Sequence, residues 1–92
     1  MSEVVSASLQ VPNRLGLHAR AAAKLVGLAN RYQAHIEVSK DGQTADAKSI
    51  MGVLLLCGHQ GCELTLSARG EDAEAAVQAL SELVLAGFGE EA

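Results

Sequence analysis

Along these 92 residues the spacing of apolar side chains switches repeatedly between two periods, and this limits the chain to a layered mixture of strands and helices. Val5, Ala7, Leu9 and Val11 fall at every second position, as in a strand with one buried face. Pro12 and Asn13 end that run and Gly16 keeps the next loop supple. Between Ala19 and Arg31, Ala22, Leu25, Val26 and Ala29 sit at i, i+3, i+4 and i+7, one face of an amphipathic helix. Ala34, Ile36 and Val38 alternate again, and Asp41-Gly42 makes a hairpin turn into a short strand around residues 43–47. Ser49 is placed to cap a short helix carrying Ile50, Val53 and Leu54. Cys62, Leu64, Leu66 and Ala68 form a last alternating strand. Glu71 or Asp72 then caps a final helix with Ala73, Ala76, Val77, Leu80, Leu83 and Val84 on its apolar side, ending near Gly87. The order βαββαβα, with every element one-sided, predicts an α+β fold: a four-stranded antiparallel sheet covered on one face by three helices.

One domain spanning residues 1–92 is expected, because a chain this short does not divide into two cores. Tyr32 and Phe88 are its only aromatics, so the core must be aliphatic and base stacking has no platform. The net charge of −4 also opposes nucleic-acid binding. That charge is uneven: residues 1–50 carry six Lys/Arg and four Asp/Glu, whereas residues 51–92 carry one and seven. Arg14, Arg20 and Lys24 lie close in sequence, so an anionic ligand is expected at the N-terminal part. No targeting segment or run long enough to cross a bilayer is apparent, and two cysteines in such a chain should be reduced thiols. These features predict a cytoplasmic protein without membrane contact.

The residues around His18 carry the most chemistry. In Leu15-Gly16-Leu17-His18-Ala19-Arg20-Ala21 the loop gives way to the first helix, whose start leaves N–H groups unpaired and a positive dipole end. Gly16, Leu17 and His18 are poor acceptor caps, so a bound anion is expected to fill the vacancy at the N–H groups of Ala19, Arg20 and Ala21. Arg20 suits bidentate contact with phosphate oxygens. The dipole and Arg20 both disfavour positive charge on the ring, leaving a nitrogen free to act as nucleophile. The plain alternative is a surface histidine at a loop–helix junction.

Two segments resemble a known family. Gly16-Leu17-His18-Ala19-Arg20 resembles the active-site motif of the HPr family of histidine-containing phosphocarriers. Lys48-Ser49-Ile50-Met51-Gly52-Val53 resembles that family's second signature, around its regulatory serine. The resemblance spans essentially the whole chain and implies an HPr-like open-faced β-sandwich. It implies that His18 accepts a phosphoryl group on Nδ1 from enzyme I of the bacterial phosphotransferase system and donates it to an enzyme IIA domain, with Arg20 contacting the phosphate. It further implies a stoichiometric carrier rather than an enzyme, needing no cofactor and working as a monomer, with Ile50, Met51, Leu54 and Lys24 docking partners. Ser49 is the implied target of HPr kinase/phosphorylase. The resemblance does not separate the sugar-uptake branch from the nitrogen-related one, although the Ala-rich first helix and residues 70–74 lean toward the latter. One departure stands out: the family usually has Pro after the motif's Arg, and here it is Ala21, which supplies one extra N–H donor.

Ser49 is also sufficiently explained as a helix cap, a role worth about 1 kcal/mol. A phosphate there would set about two negative charges beside Ile50 and Met51, which cannot both reach the core, and would weaken apolar docking. Two other functions compete: a regulatory adaptor of the same fold acting through Ser49, and a metal-binding or redox domain using Cys57, His59 and Cys62. The second has three ligands in a spacing that fits no standard zinc pattern, so no metal is expected. His35 should face solvent, and Glu90-Glu91-Ala92 is expected to be a frayed acidic tail.

Overall fold

The computed structural model describes residues 3–90. Its elements are β1 (Val5–Gln10), α1 (Ala19–Ala29), β2 (His35–Lys40), β3 (Gln43–Asp46), α2 (Ile50–Leu55), β4 (Glu63–Arg69) and α3 (Ala73–Leu85), followed by a 3-10 turn over Gly87–Gly89. The strands pair antiparallel throughout, in the spatial order β1-β4-β2-β3. This is the α+β architecture the period changes predict.

Register follows from burial. Val5, Ala7 and Leu9 of β1 lie opposite Ala68, Leu66 and Leu64 of β4, and Ile36 and Val38 of β2 lie opposite Ala68 and Leu66. A slip by one residue would turn this set out to water, so the pattern holds the pairing. The other face is polar: the hydroxyls of Ser8 and Thr65 are 3.0 Å apart, as are those of Ser39 and Thr44, and His35 is exposed as expected. The β2–β3 hairpin turns at Asp41-Gly42 with φ of 51° and 81°, two left-handed residues that match the twist of the strands.

Leu25 of α1, Val53 of α2 and Leu80 and Val84 of α3 cover the inner face, over Ile36, Leu64 and Leu66. Three details differ from the sequence reading. First, α3 ends at Leu85, and the chain then turns so that Phe88 is fully buried. Second, Asp72 stands at the N-cap of α3 without capping it; its two carboxylate oxygens instead accept from the N–H groups of Gln33 and Ala34, both at 2.8 Å. The Gln33 bond pulls this carboxyl below its ordinary value against an opposing effect of burial, helped by the Ala34 bond, its own backbone and the charge of Lys48. Third, Cys62 precedes β4 rather than starting it, although it is buried as a core residue would be.

Candidate functional site

The loop from β1 to α1 is fastened to the loop before β4. Val11 donates to the Cys62 carbonyl (2.9 Å) and accepts from Gly61 (2.8 Å), while Leu17, buried, donates to the Gly58 carbonyl (3.1 Å). Asn13 is buried between them and donates through Nδ2 to the Gly16 carbonyl at 2.9 Å. His18 therefore arrives at the start of α1 on a held backbone, in an extended conformation (φ −72°, ψ 176°).

His18 is itself the N-cap. The Arg20 N–H donates to its Nδ1 at 3.3 Å, and the first bond of the helix runs from the Ala22 N–H to the His18 carbonyl (2.8 Å). This corrects the expectation that none of Gly16, Leu17 and His18 is a good acceptor cap: a neutral imidazole with a free Nδ1 lone pair accepts here. An accepting Nδ1 leaves the ring proton on Nε2, and Nε2 is hydrogen-bonded to Glu90 Oε2. The other oxygen, Glu90 Oε1, accepts from Asn13 Nδ2 at 2.9 Å.

Glu90 is thus no part of a frayed tail. Its side chain is only 14% exposed, and it reaches His18 because the turn at residues 87–89 folds the chain back toward α1. Glu91 and Ala92 lie outside the described residues. Burial pushes the Glu90 carboxyl up, but hydrogen bonds from Asn13 and His18, with the charge of Lys24, outweigh it and hold it below the ordinary glutamate value. Sequence reasoning missed this residue. The available signal was Phe88, a lone large aromatic between two glycines, which marks an anchored turn rather than an end.

Arg14, Leu15, His18, Arg20, Lys24, Gly89 and Glu90 line one open depression of about 770 Å³. The three cations that are close in sequence are therefore close in space, around the imidazole. Lys24 is also tied to the fold: its Nζ donates to the Phe88 carbonyl at 2.6 Å. Ala19 and Arg20 are exposed, whereas Ala21, expected to add a donor at the anion site, is fully buried.

Ser49 caps α2 through a bond from the Gly52 N–H to its Oγ (3.2 Å). Beside it Ile50 is exposed and Met51 is 64% exposed, whereas Leu54 is half-buried and packed on the core. Leu55, passed over in the sequence reading, is 70% exposed and extends the apolar surface. Cys57 is exposed and Cys62 buried, and among the described residues no three His, Cys, Asp or Glu side chains are grouped to hold a metal ion. No helix among the described residues is long and apolar enough to cross a membrane.

A family model described as the PTS HPr component phosphorylation site matches residues 5–85. The chain belongs to the HPr family. It is 48% identical over 83 residues to the phosphocarrier protein HPr of Xylella fastidiosa, covering 90% of this chain and 93% of that one. To the phosphocarrier protein NPr of Shewanella violacea it is 45% identical over 78 residues, covering 85% and 86%. The crystal structure of HPr-C-His from Thermoanaerobacter tengcongensis matches with a TM-score of 0.92 and 42% identity, over 96% of this chain and 99% of that one. The four-stranded antiparallel sheet with three helices is the HPr fold, and the family is that of the phosphocarriers of the phosphotransferase system.

Proposed function

We propose that this HPr-family chain accepts a phosphoryl group on Nδ1 of His18 from phosphorylated enzyme I and passes it to an enzyme IIA domain. The observation that carries the reading is the cap itself. Nδ1 holds its lone pair at the start of α1, where the positive end of the helix and the side chains of Arg14, Arg20 and Lys24 meet an incoming anion. When the N–P bond forms, Nδ1 no longer accepts from Arg20, and that N–H turns to a phosphate oxygen. Arg20, exposed in the first turn, offers its guanidinium to the others.

Ile50, Met51, Leu54 and Leu55 form the apolar part of the docking surface, and Arg14 and Lys24 the cationic part. An acidic, partly apolar partner face fits both. Ser49 is proposed as a regulatory phosphorylation site for an HPr kinase/phosphorylase, whose product would weaken docking by adding charge beside Ile50 and Met51. The protein acts as a stoichiometric carrier in the bacterial cytoplasm, without cofactor.

Incubation with phosphoenolpyruvate and enzyme I, followed by an enzyme IIA domain, tests this. Acid-labile phosphate should appear on the wild type, leave when the acceptor is added, and be absent from His18→Ala. Label that persists in a folded His18→Ala would refute the reading.

A further inference from the structure

We infer that residues 87–90 form a strap that positions the phosphoryl acceptor: Lys24 holds the strap by the Phe88 carbonyl, and Glu90 fixes the ring proton of His18 on Nε2. The purpose assigned to the strap rests on the function proposed above; its geometry does not.

Gly87, Phe88 and Gly89 take φ of 65°, 59° and 77° in succession, a left-handed run that turns the chain back on α1. The glycines adopt this freely, whereas Phe88 does so at a conformational cost that its complete burial offsets. The turn is then tied at both ends. Lys24 Nζ binds the Phe88 carbonyl at 2.6 Å, and the Glu90 carboxylate bridges Asn13 Nδ2 and His18 Nε2. Lys24 is six residues beyond His18 on the same helix, so acceptor and clamp share one rigid element. This gives Lys24 a role apart from docking.

The chemistry explains what such a strap achieves. As the Nδ1 lone pair forms the N–P bond, the bond from phosphorus to the donor, a phosphohistidine of enzyme I, breaks with its electron pair leaving on the donor nitrogen. The His18 ring keeps its Nε2 proton and becomes positive. No proton has to move, and the Glu90 carboxylate, on the ring nitrogen away from phosphorus, balances the new charge. On onward transfer the sequence reverses. Without the strap only the Arg20 N–H still opposes a proton on Nδ1, and the fraction of neutral rings that carries it there has no lone pair at Nδ1 to attack phosphorus.

Labelled-nitrogen NMR of the full chain, with the ring neutral and no donor present, reads the His18 tautomer directly; the charged groups facing the ring are Glu90, Arg14, Arg20 and Lys24. The wild type should show the proton on Nε2. Glu90→Ala and Lys24→Met should each gain the Nδ1–H form, and acceptance from enzyme I should slow about tenfold for the first and about threefold for the second. Glu90→Gln, whose amide oxygen still accepts, should restore the tautomer without restoring the full rate. A His18 tautomer and acceptance rate unchanged in folded Glu90→Ala would overturn the proposal, as would a wild-type proton on Nδ1. Should the wild type take no phosphoryl group at all, the proposed function fails, while the tautomer comparison still decides whether the strap positions the ring.

Discussion

The starts of α1 and α2 solve the same problem with different caps. At α1 the Arg20 N–H is met by an imidazole nitrogen at 3.3 Å; at α2 the Gly52 N–H is met by the Ser49 hydroxyl at 3.2 Å. The distances are alike, yet the surroundings are not. His18 is engaged by Glu90 and shares its depression with Arg14, Arg20 and Lys24, whereas Ser49 is followed by the exposed apolar side chains of Ile50 and Met51. A cap with a second ring nitrogen gains a nucleophile set by what that nitrogen touches. A hydroxyl cap satisfies the helix and leaves its neighbourhood to act as a surface.

The largest effect expected from breaking this contrast is at Phe88. Phe88→Ala removes the fully buried aromatic of the core and unfastens the strap, and should cost about 3–5 kcal/mol in denaturant unfolding. A loss far below this range would show that the turn is not anchored through the core. Next, Arg20→Met should slow acceptance of a phosphoryl group by about tenfold to a hundredfold, since it removes charge-assisted bonds to the anion. Stability should hold or rise by a few tenths of a kcal/mol at most, because a cation leaves the first turn of α1. Initial-rate measurements beside an unfolding curve check both halves.

At the other helix start the balance should invert. Ser49→Ala should cost about 1 kcal/mol of stability and leave the rate at His18 unchanged, whereas Ser49→Asp should keep a cap and weaken binding to enzyme I. Calorimetric titration separates these, and an unaltered affinity for Ser49→Asp would contradict the docking surface. The smallest effect is at the third helix start, where Asp72 bonds to Gln33 and Ala34 instead of its own helix. Its folded value lies below the ordinary aspartate value of 3.8, so its contribution is complete above that pH and is lost as the pH falls through the lower, folded value. Asp72→Asn should therefore flatten the acid limb of a stability–pH curve below 3.8 and leave the curve's shape near neutrality unaltered.

Most of the architecture was legible because strand and helix periods are local. Leu64, Leu66 and Ala68 declare their face without knowledge of partners, and the Asp41-Gly42 turn follows from two residues. His18, Arg20 and Ser49 were legible for the same reason, each standing at a local break in pattern. What was hidden depends on contacts between residues distant in sequence. Asp72 meets a loop 38 and 39 positions away, and Glu90 meets His18 across 72 positions. No spacing rule reports such contacts, and an acidic residue near a chain end looks like any solvated tail. Leu54 and Leu55 show a finer limit: on a helix of six residues, which neighbour faces out depends on the packing of α2 against β3 and α1.

The claim that the α1 start is the phosphoryl site, with Nδ1 as its nucleophile, is tested most directly by phosphorus and labelled-nitrogen NMR of the chain after incubation with phosphoenolpyruvate and enzyme I. The account predicts one acid-labile phosphoryl group per chain, bonded to Nδ1 of His18, with the proton retained on Nε2. Phosphate on Nε2, on another residue, or in acid-stable form at Ser49 alone would contradict it.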